Sequence, residues 1–200
     1  NTGYFSLPIV LSIFEPEQWA IAIFIIIGVN LYEFTLGYFI TAKGMFNTRE
    51  CLKKVLSMPT IYAAIFALMF KYLDITVADE VMDFMDNFKG AYSVLGMMVI
   101  GMTLASYHRL EIDWKFASAA IAWKHVIIPV LGILLFGLMG FDEKTLLIIA
   151  LMLSTPMAGN VVVVANQLDV HPQIAATTVM LSTLVSIVSI PVTLQFMQLL

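Results

Sequence analysis

From Trp19 to Thr41 the chain runs for 23 residues with one charged side chain, Glu33. As a helix rising 1.5 Å per residue this run is roughly 35 Å long, enough to cross a hydrocarbon core of about 30 Å. Five more apolar runs follow, at residues 59–73, 90–106, 114–139, 145–167 and 172–200, and a shorter interrupted one occupies residues 2–14. Short polar stretches separate them. A chain patterned in this way is expected to fold as an all-α, polytopic membrane protein.

Composition agrees. Sixty per cent of the residues are hydrophobic and 12% are charged, against roughly 45–50% and 25% in soluble domains. Mean hydropathy is +0.93. The net charge of −4 says little, because the placement of charge orients a membrane protein more than its sum. Cys51 is the single cysteine, which excludes an internal disulfide, a zinc cluster and a Cys-x-x-Cys redox pair. The first stretch lacks the basic region and the small-residue cleavage site of a secretory signal.

Two polar stretches read as surface helices. Residues 45–58 interleave charge with Phe46, Leu52, Val55 and Leu56, and residues 78–88 set Val81, Met82, Phe84, Met85 and Phe88 against an acidic face. Both fit amphipathic helices at the membrane surface, and the first is expected to lend length to the short run after it. Lys43, Arg49, Lys53 and Lys54 fall in one loop, and Arg109 and Lys115 in another on the same side. Positive-inside then makes those loops, and Cys51 with them, cytoplasmic, and puts Leu200 outside. Trp19, Trp114 and Tyr38 suit interfacial anchors.

Helix-breaking residues inside apolar runs carry the functional signal. Asn1, Thr2, Gly3 and Pro8 form one interruption, and Ser154, Thr155, Pro156, Gly159 and Asn160 form another. Irregular backbone survives at membrane depth only where it is packed in protein or lines a wet cavity. Broken helices there expose half-helix ends that hold ions or polar substrates. A constant offset pairs Gly3 with Gly159, Pro16 with Pro172 and Ala20 with Ala176. Counting spans runs the two units in opposite directions, the inverted-repeat arrangement of many secondary transporters.

The stretches NTGYFSLPIVL, VLGMMVIG before MTLAS, WKHVIIPVLG, STPMAGNVVVVANQLDV and AATTVMLSTLVSIVSIPVT, in this order and spacing, resemble the auxin efflux carrier family. That family has ten spans in two inverted five-helix repeats, with the fourth and ninth broken and crossing. The resemblance implies that this chain holds spans four to ten, with three N-terminal spans missing. Residues 1–41 then end the first repeat, 42–58 form a cytoplasmic amphipathic linker, and 59–200 form the second repeat, broken around 154–160. Ser6 departs from the family, which commonly has Gly there; it keeps a small polar residue but weakens close helix contact. The implied activity is transport of a small organic anion: dicarboxylates such as malate or malonate in bacterial members, auxin in plant ones. A bacterial inner (cell) membrane is the expected location, and a homodimer is left open.

Two ionisable residues lie deep in the runs, where each costs roughly 2.5–3.5 kcal/mol on insertion scales. Glu33 reads as a proton or cation site for coupling or as a side chain reaching the interface beside Tyr32. Lys124 reads as the counter-charge of an anionic substrate or as a snorkelling lysine. His125 reads as a packed, hydrogen-bonded histidine. Asn30, one turn before Glu33, shares its face, and Asn166 and Gln167 read as helix caps. Asn1, Thr2, Gly3, Pro8, Thr155, Pro156, Gly159, Asn160 and Lys124 are therefore the candidate substrate-binding residues, with Glu33 for coupling to a proton or sodium. No metal ligands, cofactor, nucleic-acid partner or catalytic constellation are expected, so the chain does not read as an enzyme. Two other readings stay open: a sodium-coupled symporter of bile-acid type, and a non-transporting membrane sensor on the same fold.

Overall fold

The computed structural model describes residues 1–57, 59–106 and 111–198. Among them every regular element is a helix. In chain order these are α1 (Thr2–Ile13) and α2 (Pro16–Lys43), α3 (Thr48–Leu56), α4 (Pro59–Tyr72) and α5 (Asp79–Ala105). Then come α6 (Trp114–Leu138), α7 (Glu143–Ser154), α8 (Asn160–Leu168) and α9 (Pro172–Gln198). Three of them, α2, α6 and α9, are long and apolar enough to cross a membrane. This is an all-α, polytopic membrane protein.

Some elements differ from expectation. The acidic stretch from residue 78 is no separate surface helix but the first part of α5, which continues for 27 residues. Gly90 is a mild cost in a helix interior, not a stop. Residues 45–58 hold their own helix, α3, and with α4 it forms a bent pair that together is long and apolar enough to cross a membrane, so it does lend length to the short run; Met58 between them, and the Arg109 and Leu200 used for orientation, lie outside the described residues. Asp142 caps α7 by accepting from the Thr145 amide and hydroxyl. Those bonds, the hydroxyl's first, hold its carboxyl below the usual carboxylate range.

The chain packs as two units. The first takes in residues 1–26 and 93–200. Its centre is α7, where Ile148, Ile149, Ala150, Leu151 and Met152 are all buried. A helix apolar on every side belongs in a core. Val10 of α1, Phe14 just after it, Ala22 of α2 and Ile190 of α9 close around it. On the other side α6 comes near enough that a Cβ on Gly132 would stand 2.1 Å from Leu153 Cδ1. The outward faces stay apolar, with Leu138 89% exposed, as suits lipid contact.

The second unit spans residues 27–92. Here α3 folds back on the end of α2, burying Cys51 and Val55, and Tyr38 and Ala42 are buried as well. Tyr38 is thus 5% exposed and is a packing residue, not the interfacial anchor its amphipathic ring implied. A capping box starts α3: Glu50 N–H donates to Asn47 Oδ1 and Asn47 N–H to Glu50 Oε2. Lys54 sits 4.5 Å from the centre of the Phe46 ring.

Candidate functional site

The site grows out of Pro156. A proline has no N–H to give the carbonyl four residues back, so Met152 loses its helical donor. α7 stops at Ser154, Thr155 is extended, and the helix resumes at Asn160. This is the interruption that the Pro, Gly and Asn content of residues 154–160 indicated. Five backbone groups around the break find partners outside the helical ladder. Thr155 Oγ1 donates to the Met152 carbonyl at 2.7 Å, in place of the missing amide. Lys124 Nζ donates to the Leu153 carbonyl at 2.8 Å. Ser189 Oγ donates to the Ser154 carbonyl at 3.4 Å. The Asn1 backbone nitrogen donates to the Pro156 carbonyl at 2.5 Å, and Met157 N–H donates to Ser182 Oγ at 2.9 Å.

Lys124 therefore places a cation at the C-terminal, negative end of the half-helix α7, where such charge is favoured. It is half-buried. Its neighbour His125 is buried and lies between two hydroxyls of α9, with Nδ1 2.9 Å from Ser189 Oγ and Nε2 2.8 Å from Ser182 Oγ. The network assigns the ring proton. Ser189 gives its hydrogen to the Ser154 carbonyl, so it accepts from Nδ1–H. Ser182 accepts from Met157 and donates to Nε2. One directional chain then joins the backbone before the break to the backbone after it, through a neutral histidine.

Both side chains sit on a widened turn. At Trp123–Ile127 the helix α6 passes through a π turn, and Ile128 N–H reaches back five residues to the Trp123 carbonyl. Pro129 lies just beyond and cannot donate to the His125 carbonyl. A second π turn covers Thr2–Ser6, with Ser6 N–H on the Asn1 carbonyl. From Thr2 the chain is helical through Pro8 to Ile13. The first interruption is thus a wide turn, not a gap, because Pro8 falls in the first helical turn after it, where its missing amide is tolerated. A third covers Glu33–Gly37, with Tyr38 N–H on the Glu33 carbonyl. Single π turns inside α-helices are frequent at functional sites.

Sequence comparison places this geometry. Residues 45–194 match the family described as membrane transport protein, the auxin efflux carrier family. The chain belongs to it. The matched region holds Lys124, His125, the break and α9 nearly to its end. An uncharacterized transporter of Methanothermobacter thermautotrophicus is 23% identical over 193 residues, 96% of this chain. The chain spans 63% of that relative's length. No solved structure matches.

Of this carrier-family chain's candidate residues, Asn1, Thr2, Thr155, Pro156 and Gly159 are buried, Gly3 and Asn160 half-buried, and Pro8 exposed. Asn1 and Lys124 reach the break directly. A Cβ on Gly3 would meet only Ile26 Cγ2 at 4.0 Å, so no close packing demands glycine there. Ser6 is buried and donates to the Thr2 carbonyl across its own wide turn. Glu33 and Asn30 are half-buried residues of α2 within the second unit. Asn166 does not cap: it donates to the Val162 carbonyl at 2.9 Å and lies 3.4 Å from Thr103 Oγ1. Asp169, in the left-handed conformation, ends α8 instead.

One set of residues escaped the sequence reading. Thr178, Ser182, Ser186, Ser189 and Thr193 recur on α9 at three- and four-residue intervals, the spacing of one helix face. The first three are buried. Ser182 and Ser189 hold His125, and Thr193 Oγ1 lies 3.0 Å from Ser154 Oγ. That spacing was the available signal.

Proposed function

We propose that this chain is the greater part of a secondary transporter that carries a small organic anion, such as a dicarboxylate or an auxin-like carboxylate, across the cell membrane. Membership of a membrane transport family supports the reading at the coarse level. The observation that carries the finer one is Lys124, a half-buried cation bonded to a neutral carbonyl at the end of a broken helix. An ammonium has three donors, and a carboxylate is a stronger partner for them than a carbonyl. Asn1, Thr2, Gly3, Thr155, Gly159 and Asn160 would complete the anion's surroundings. Two inverted repeats would carry these residues, with Glu33 the candidate for coupling to a proton or sodium.

Flux is the test. Full-length protein in proteoliposomes is given radiolabelled malate, malonate or indole-3-acetate, with external sodium or choline. Accumulation of at least one anion in choline as well as in sodium supports the proposal. Uptake only in sodium moves the protein to the sodium-coupled class, and no flux of any of the three removes the organic-anion reading.

A further inference from the structure

His125 is more tightly built into the break than packing alone requires. Both of its ring nitrogens are engaged, by residues seven apart on α9. Through them it holds Ser154, before Pro156, and Met157, after it. A neutral ring with its hydrogen on Nδ1 satisfies every group in this chain of bonds. Adding a proton at Nε2 makes both nitrogens donors. Ser189 needs no change. Ser182 can accept from Nε2 as well as from Met157, since a hydroxyl oxygen has two lone pairs. Its own hydrogen then turns to the Thr178 carbonyl one turn back, the bond that helix serines commonly make. The charged form therefore fits the same cage after one hydroxyl rotation.

Two things oppose the proton: the ring is buried, and a neighbouring cation repels it. That cation is Lys124, the preceding residue. Ser182 and Ser189 of α9, and Ser154 of α7, bring no ionised side chain. An anion on Lys124 cancels part of that repulsion, so anion and proton favour each other's binding, and by the same factor.

Resting on the anion-carrier reading, we infer that His125 is a proton-binding site, and that the carrier takes up one proton at Nε2 with each substrate anion. The proton comes from the aqueous side that the site faces and leaves with the anion on the other. No bond other than N–H is made or broken, and one negative charge is balanced per cycle. Lys124 is the substrate's partner, His125 the proton's, and Ser182 the hydroxyl that reports which form the ring is in.

The test uses full-length protein and reads the ring apart from transport. In ¹⁵N-histidine-labelled protein, assigned by comparison with His125→Gln, the resonance at pH about 8 should be that of a neutral Nδ1–H ring. Added malonate should move its titration to higher pH. A ring of the opposite tautomer, or one that stays neutral down to about pH 5 with and without malonate, malate or indole-3-acetate, overturns the proposal even where flux is present. Where an anion is transported, uptake should rise as pH falls from about 8.5 to 6.5, by at most about tenfold per unit, the limit for one linked proton. Whatever uptake His125→Gln retains should lack that slope, and an unchanged slope in that variant also overturns it.

Discussion

Thr155 shows how one hydroxyl makes a buried helix break tolerable. It is fully buried, and its Oγ1 stands in for the amide that Pro156 lacks. Replacing Thr155 with Val keeps the shape and leaves the Met152 carbonyl buried without that donor. The loss should be about 1–3 kcal/mol. Thr155→Ser should recover most of it. Thermal unfolding of the detergent-solubilised protein checks both, and a Val variant as stable as the wild type would show that another group fills the place. Pro156 and Gly159 announced this break in the sequence, and Lys124 announced itself as a charge in an apolar run. The partners did not. Leu153 is 29 residues from Lys124, and Ser182 and Ser189 are 57 and 64 from His125. Serines in membrane helices ordinarily bond their own backbone, so nothing in their neighbourhood marks the two that do not.

At the level of elements, the apolar runs were legible because span length and hydrophobicity are local properties. The wide turns were not. A hydrogen bond that slips from four residues to five leaves no mark in composition, and only Pro8 and Pro129, one just after each of two such turns, hinted at them. The packing of α6 on α7 makes a sharper demand. A methyl on Gly132 would overlap Leu153 Cδ1, and Leu153 also carries the carbonyl that Lys124 holds. Gly132→Ala should cost about 1–3 kcal/mol through overpacking. Adding Leu153→Ala makes room for the methyl, so the double variant should be more stable than the sum of the single losses predicts. Strict additivity in melting experiments would mean that the helices move apart freely.

For the whole molecule, orientation rests on the basic loop around α3. Cys51 cannot report it, because the thiol is buried and directed to the Phe46 carbonyl at 3.6 Å. Lys53 is exposed. In a Cys51→Ser background, Lys53→Cys should resist an impermeant maleimide in intact cells and react once the inner face is opened. Labelling of intact cells would reverse the assigned orientation. The membrane character of the chain was plain from its sequence, whereas the division into residues 27–92 and the remainder was not. That division cuts within α2 and α5, where neither sequence nor helix is interrupted by proline.

The account stands on Lys124 as the anion's partner. The most direct measurement is uptake of whichever anion the wild-type carrier accumulates, by full-length protein with Lys124→Met, beside Lys144→Met, exposed in the first turn of α7. Both variants are first confirmed as folded by size exclusion and cooperative melting. The predicted result is loss of uptake in Lys124→Met and near wild-type uptake in Lys144→Met. Wild-type uptake by a folded Lys124→Met carrier would contradict the account and leave that lysine as a cap for the Leu153 carbonyl alone.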